Sequence, residues 1–312
     1  MDLFKKPNVV LVGRGHKIVN GIDTGKEAIV VGVSKKVPLA VLKKREAIPS
    51  KIKGIETDVI EVGEIKALRT TRHRPAPGGV SIGHYQITAG TLGMVVKRDG
   101  IRHILSNNHV LANSNNAQIG DPIYQPGVHD GGTAMDTIGH LVDFEPIEFI
   151  GNSTCPIGNF IASFFNKIAE LLNRQTRLTA ITQLTNLVDC AIAEPVKGED
   201  ISDEILEVGI PTGFAEVGIG DKVKKSGRTT GLNEGVVTIT NTEAQVSYDS
   251  NIAMFKEQIV TTKLAEGGDS GSVVLNENDE VIGLLFAGSD TVTIVNDIFN
   301  VIDALGLDDG VF

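Results

Sequence analysis

From about residue 80 onward, the chain consists of short runs of Val, Ile and Thr that alternate with Gly, Asn and Asp. Runs such as GMVVKRDG, GVVTITN and EVIGLLFAG recur at a spacing of roughly 8 to 12 residues. β-Branched residues favour strands, and Gly, Asn and Asp favour the turns between them. The pattern predicts a mainly β fold for residues 80–312, either a barrel or a sandwich.

The first 70 residues have a different sequence pattern. They are predicted to form a small α/β domain with a regulatory or structural role. Strands are expected over 28–34 (AIVVGVS) and 57–62 (TDVIEV), with a short helical segment over 38–45 between them. Residues 71–79 (TRHRPAPGG) are rich in Pro, Gly and basic side chains, which is typical of a linker or of an extended crossing segment, and they are assigned as a linker. Cleavage in the basic part of this stretch, at 69–74, would make the first domain a pro-segment; a structural domain packed on the barrel is the favoured alternative.

Two helices are expected to interrupt the strands. One lies in an insertion at about 148–179, where Phe160, Phe164 and Ile168 recur at helical spacing. An amphipathic helix there would cover a barrel or form a subunit contact, and covering the barrel is favoured. The other helix is expected over 296–305 (NDIFNVIDAL).

Composition excludes several classes of function. A net charge of −10 argues against nucleic acid as the main partner, because phosphate contacts need clustered Lys and Arg. Cys155 and Cys190 are the only cysteines, so a disulfide-dense scaffold is excluded, and two buried free thiols are favoured over one bridge. No apolar run is long enough for a signal peptide core or a membrane span, which predicts a cytoplasmic protein without a membrane partner. No metal or cofactor is expected, since the metal-binding and phosphate-loop spacings are missing.

The most specific local motif is EGGDSGS at 266–272. Glycines allow positive φ and let a substrate approach the main chain closely. Such a turn can direct the amides of Gly268 and Ser270 at one point, where they stabilise the charge that develops on a scissile carbonyl. Ser270 is therefore a candidate nucleophile, although the motif alone is also compatible with a plain Gly-rich hairpin.

A serine hydroxyl is a weak nucleophile and needs an adjacent base. His109 lies in LSNNHVL, just after a predicted strand, where its side chain can face a cleft. The other histidines lie inside strands, in a Gly-rich loop, or in the N-terminal part and linker, which are poorer settings. His109 is thus the candidate base, with a capped surface histidine as the alternative.

The base needs a third group that orients it. Asp189 lies within the apolar run LVDCAIA, so its carboxylate should be buried and must find a partner. Asp136 and Asp143 have more polar surroundings and are weaker candidates. An aspartate at a strand edge is the alternative interpretation of Asp189.

The order of LSNNHVLA, LVDCAIAE and GGDSGS resembles the chymotrypsin-like (trypsin-like) serine peptidases over roughly residues 80 to 305. KSGRTTG at 225–231 resembles a strand-and-turn segment of their bacterial branch. A narrower resemblance, to a branch with an N-terminal extension, is carried by residues 23–31 and by RPAPGGVSIGH. The three catalytic motifs are individually modest but jointly specific, because they occur in the family's order.

This resemblance implies two six-stranded β-barrels with the catalytic residues between them. It implies hydrolysis of protein or peptide substrates through an acyl-enzyme, with His109, Asp189 and Ser270 as the triad and the amides of Gly268 and Ser270 as the oxyanion hole. The family's vertebrate members have disulfides near the histidine and the serine, and neither has a counterpart here. An extracellular digestive role is therefore not expected.

The family's primary specificity pocket is formed by the segment before the serine and a strand after it. The corresponding residues are Leu264, Phe286, Ala287 and Gly288. Leu264 stands where an enzyme that cuts after Lys or Arg would have a carboxylate, so small or medium apolar side chains are expected at the cleavage site.

Two other classes of function stay open. One is a catalytically latent protein that kept the protease fold as a binding module. The other is an assembly protein whose only reaction is self-cleavage. Homo-oligomerisation is also left open.

Overall fold

The computed structural model describes residues 3–43, 45–63, 69–152, 156–172, 174–176, 178–179, 181–182 and 184–310. The chain divides into two compact units, Met1–Leu68 and Arg69–Phe312. Across the described residues, no helix is long and apolar enough to cross a membrane.

The first unit is a four-stranded sheet. Its strands are β1 (Val9–Val19), β2 (Ile22–Val33), β3 (Lys51–Ile52) and β4 (Ile55–Glu61), in the order β1-β2-β4-β3. β1 and β2 form an antiparallel hairpin whose turn, Asn20-Gly21, has positive φ at both residues, as a tight hairpin turn requires. β2 and β4 are parallel.

The α/β character predicted for this unit is wrong for its described residues. They contain no α-helix, and the segment predicted as helical has only one 3-10 turn, Leu39–Val41. Leu39 and Val41 are 75% and 69% exposed, so the turn has no buried face to offset the cost of starting a helix. The β1–β2 hairpin replaces the single strand expected there, and Asn20-Gly21 was its signal in the sequence.

The second unit contains the remaining strands and all three described α-helices. In chain order its elements are β5 (Ala76–Gly78), β6 (Ser81–His84), β7 (Gly90–Thr91), β8 (Met94–Arg98), β9 (Ile101–Ser106), α1 (Asn108–Leu111), β10 (Pro122–Tyr124), β11 (Thr137–Phe144), β12 (Gly151–Asn152), α2 (Pro156–Leu171), β13 (Ile181–Thr182), β14 (Thr185–Asn186), β15 (Ala191–Pro195), β16 (Ile201–Ile205), β17 (Gly213–Phe214), β18 (Lys222–Gly227), β19 (Gly231–Tyr248), β20 (Asn251–Thr262), β21 (Val273–Asn276), β22 (Glu280–Gly288), β23 (Val292–Asp297) and α3 (Ile298–Leu305).

Most of these strands form two sheets that curl into rings. The first has the order β7-β6-β10-β11-β15-β9-β8, and its two end strands are separated in the chain by two residues only, which closes the ring. In the second, β23 pairs with both β20 and β22 and closes the circle β20-β19-β18-β21-β22-β23. The mainly β, double-barrel fold class is confirmed.

Each barrel has its own apolar core, and a third core lies between them. The third core combines side chains of the first barrel, such as Leu105 and Ile192, with Leu284 of the second and Ile298 and Ile302 of α3. α3 begins at the predicted C-terminal helix, where the Asp297 side chain accepts a hydrogen bond from Phe299 N. The barrels are thereby held side by side, with a cleft between their loops.

Residues 71–79 are not a linker. Ala76–Gly78 is a buried strand that pairs in parallel with β16. Just before it, the buried Arg69 side chain donates a 2.6 Å hydrogen bond to Ser226 Oγ and pairs with Glu207. Buried backbone must satisfy its hydrogen-bonding groups, and here the Pro- and Gly-rich stretch does so as an extended strand of the second unit.

The expectation that the inserted helix covers a barrel is also wrong. α2 forms within the insertion, but the large apolar side chains of its described residues are exposed rather than packed, with Phe160 and Phe164 at 71% and 53%. Cys190 is a buried free thiol, and Cys155 lies outside the described residues.

Candidate functional site

His109 lies at the point where the first barrel turns from β9 into the single turn α1. Its ring Nδ1 is 2.6 Å from Asp189 Oδ2, and its backbone N–H donates to Asp189 Oδ1 at 3.2 Å. The side chain is 22% exposed, so one face of the ring remains accessible. With Nδ1 held by a carboxylate, Nε2 is the nitrogen that is left to exchange a proton.

Asp189 lies two residues before the start of β15 and is fully buried. A buried carboxylate is costly unless it is hydrogen-bonded, and this one accepts from His109 and from the Tyr248 hydroxyl, which is 2.7 Å from Oδ2. Its backbone N–H donates to Asn296 Oδ1 at 3.0 Å, and its carbonyl accepts from Asn107 Nδ2 at 2.7 Å. Backbone and side chain are thus fixed from both barrels.

Tyr248 was not found by sequence reasoning. It ends β19, at the tip of the long hairpin that β19 and β20 form, and its ring meets the His109 ring edge-on at 5.9 Å between centroids. Burial, together with the nearby Asp189 carboxylate, raises the pKa of Tyr248 far above its ordinary value, so the hydroxyl stays a donor. No local motif marks this residue, because its partner lies 59 residues away in the chain.

Ser270 lies in the turn between β20 and β21. Gly268 and Gly271 flank it with φ of +95° and +92°, a conformation that favours glycine. Thr91 of the first barrel holds the turn: its Oγ1 donates to Gly268 O at 2.9 Å, and its N–H donates to Ser270 O at 2.8 Å. Among the described residues, neither the N–H of Gly268 nor that of Ser270 has an acceptor, so both remain available as donors.

Asp269, next to the nucleophile candidate, forms a buried ion pair with Lys225 at 3.1 Å. Its carboxylate also accepts from Thr229 N, from Thr230 N and Oγ1, and from Glu266 N, at 2.6 to 3.1 Å. Burial raises the pKa of Asp269, but the charge of Lys225 and these hydrogen bonds outweigh burial and hold the pKa below its usual value. The conformation of the serine turn therefore rests on a cation from β18.

Most predicted site residues line one cleft of about 830 Å³ between the barrels. His109, Ser270 and Gly268 lie there with Phe286, Ala287 and Gly288 of β22. Asp189 lies beneath His109 and is buried. The prediction that Leu264 lines the specificity pocket is wrong. Leu264 is fully buried in the core of the second barrel and does not line the cleft. The segment before the serine turns its leucine inward, because that position faces the apolar barrel interior.

Three solved structures to which this chain is similar are proteases. Protease A of Thermobifida fusca is 16% identical, with a TM-score of 0.48, over 74% of this chain and 96% of that chain. A chymotrypsin of Cellulomonas bogoriensis is 18% identical, with a TM-score of 0.46, over 76% and 98%. The alpha-lytic protease homologue N4 is 16% identical, with a TM-score of 0.46, over 74% and 97%.

No protein-family model matches the chain. No curated protein sequence matches it either.

Replacing Lys225 by methionine is expected to lower the free energy of unfolding by about 3–5 kcal/mol, because Asp269 then stays buried without its cation. The depressed pKa of Asp269 contributes stability above the ordinary carboxylate pKa, and this contribution is lost as pH falls through the depressed value. The gap between native protein and K225M should therefore narrow in acid. Chemical unfolding at several pH values measures both effects.

Lys222→Met is the matched control on the same strand. Lys222 pairs with Glu277, but both side chains are about two-thirds exposed, so K222M should change stability little at any pH. Equal losses in K222M and K225M would contradict a special role for the Lys225–Asp269 pair.

Proposed function

We propose that the protein is a serine endopeptidase, with Ser270 as nucleophile, His109 as general base and Asp189 as the group that orients His109. The observation that carries the proposal is the 2.6 Å contact of His109 Nδ1 with the buried Asp189, in the cleft that also presents Ser270. A buried carboxylate on one ring nitrogen fixes the tautomer in which the other nitrogen accepts a proton.

In the proposed reaction, Ser270 Oγ attacks the carbonyl carbon of the scissile peptide while its proton moves to His109. The charge that forms on the carbonyl oxygen is stabilised by the amides of Gly268 and Ser270. His109 then gives its proton to the leaving amine, the C–N bond breaks and an acyl-enzyme remains. Water then attacks the ester carbonyl while His109 takes its proton. The C–O bond to Ser270 breaks, His109 returns the proton to Ser270 Oγ, and the acid leaves.

A latent or self-cleaving protease-fold protein is the second candidate function. The observation in its favour is that the Ser270 hydroxyl makes no hydrogen bond among the described residues. In substrate-free enzymes, however, catalytic hydrogen bonds are often long and tighten only when substrate binds. The Lys225–Asp269 pair also supports the endopeptidase, since the serine turn already has its counter-ion.

A fluorophosphonate probe is expected to label the native protein, because it reacts only with an activated serine. Ser270→Ala and His109→Ala should both abolish labelling, since one removes the nucleophile and the other removes its base. Ser289→Ala, another serine in the same cleft, should label like the native protein. Gel fluorescence after labelling measures all four proteins.

Absence of labelling in the native protein, or labelling that survives Ser270→Ala, would contradict the proposal. Labelling together with a single self-cut and no cleavage of added peptides would favour the self-cleaving candidate instead.

The cleavage site is expected to accept small or medium apolar side chains, because the β22 side of the cleft consists of Phe286, Ala287 and Gly288 without a charge. The only carboxylate among the described cleft-lining residues is Asp249, at the hairpin tip beside Tyr248. Profiling with a peptide library measures the preference. Preferred cleavage after Arg or Lys would contradict the expectation, and loss of that preference in Asp249→Asn would assign it to Asp249.

Tyr248→Phe is expected to slow labelling by about tenfold, the scale of one hydrogen bond to a charged acceptor. Without the hydroxyl, Asp189 loses one of the side-chain donors that hold it in place, so it orients His109 less well. Rates measured from pH 5 to 9 test this. Tyr85→Phe, in which the tyrosine lies outside the cleft, serves as control.

An unchanged rate in Tyr248→Phe, or an equal loss of rate in Tyr85→Phe, would show that the hydroxyl does not position Asp189.

A further inference from the structure

The helix α2 exposes its large apolar side chains. Among the described residues of the helix and its C-terminal turn, seven such side chains are between 36% and 71% exposed, and together they form what we call the apolar face of α2: Ile157, Phe160, Ile161, Phe164, Phe165, Ile168 and Leu172. Monomeric proteins seldom expose continuous apolar patches above roughly 300–600 Å². A face of this size marks an interaction surface.

A strip of α2 beside the apolar face is turned toward its own chain. The less exposed positions of the helix are small or polar, namely Gly158, Ala162, Asn166 and Ala169, which recur at helical spacing. Asn166 donates through Nδ2 to Leu178 O and accepts from Leu178 N, both at 2.7 Å. These bonds tie the less exposed strip of the helix to the residues that follow it, and the apolar face beside that strip stays exposed.

The size of the apolar face matches one side of a protein interface. From the exposed fractions, the seven side chains present on the order of 800 Å², about what each partner contributes to a standard stable interface. Ile157, Ile161, Phe164 and Ile168 are spaced by four, three and four residues, the repeat with which one helix packs on another. The expected occupant is therefore a helix.

Charge distinguishes between the candidate occupants. Helices that bind anionic membranes carry many Lys and Arg on their polar side, whereas α2 has one lysine, Lys167, and one glutamate, Glu170, and the chain has a net charge of −10. A neutral helix does not repel its own copy. The other long helix of the second unit, α3, is packed into the core between the barrels.

We infer that the apolar face of α2 binds the same face of α2 in a second copy of this chain, which makes the protein a homodimer or a higher homo-oligomer. This inference goes beyond the proposed function and does not depend on catalytic activity.

Full-length protein should associate with rising concentration in sedimentation velocity and in size-exclusion chromatography with light scattering. Phe164→Glu places a charge in the centre of the face and should raise the dissociation constant at least about tenfold. Ser163→Glu adds the same charge to the same helix outside the face and should associate like the native protein. Because residues 163 and 164 are both exposed, the folded far-UV circular dichroism spectrum should be unchanged in both variants.

Three outcomes would overturn the inference. One is a native protein that stays monomeric at the highest concentration, including the case in which it binds phosphatidylcholine vesicles through this face. Another is association that Phe164→Glu leaves intact. The third is equal loss of association in both variants. As a second measurement, Ile161→Cys in a Cys155→Ser background should form an intermolecular disulfide, and Ser163→Cys in that background should not.

Discussion

The buried carboxylate of Asp189 is the interaction on which the site depends. A charge that is fully removed from water must be compensated where it lies, and here the donors come from α1 of the first barrel and from the β19–β20 hairpin of the second. Asn296 of β23 holds the backbone beneath it. The cost of burial thus fixes how α1, the hairpin and β23 approach one another, and His109 takes its orientation from that arrangement.

Asp269 is a second buried carboxylate, beside Ser270, and it is compensated in a different way. Asp189 is surrounded by the ring nitrogen of His109 and a tyrosine hydroxyl, so its charge remains available to an imidazolium. Asp269 is neutralised by Lys225 and tied down by hydrogen bonds from the residues around it. In the proposed reaction the first carboxylate orients the base His109, whereas the second shapes the serine turn, because its charge is already matched by Lys225.

The local motifs predicted His109, Asp189 and Ser270 as site residues, because the residues next to each of them in the sequence form a recognisable pattern. The pattern of short strands likewise predicted a mainly β fold, a barrel or a sandwich, and the resemblance to the peptidase family implied two barrels. Tyr248 and Lys225 could not be found in this way, because their importance comes from partners that are distant in the chain. Leu264 was misplaced for a related reason: an apolar residue near a cleft fits a pocket and a core equally well, and only the direction of its side chain decides. The β1–β2 hairpin, in contrast, could have been predicted from the local sequence, because Asn20-Gly21 is a typical hairpin turn.

Cleavage at 69–74, which would make the first domain a pro-segment, is not needed to give Asp269 its counter-ion. A new N-terminal amino group, formed by cleavage, would be needed only if Asp269 lacked a cation. Lys225 is an internal residue and already supplies that cation to the serine turn. Arg69 binds Ser226, the residue that follows Lys225 on β18, and the strand β5 just after it pairs with β16. A cut in this segment would therefore fall among residues that contact β18 and β16. Residues 69–79 therefore belong to the framework that holds the serine turn in place.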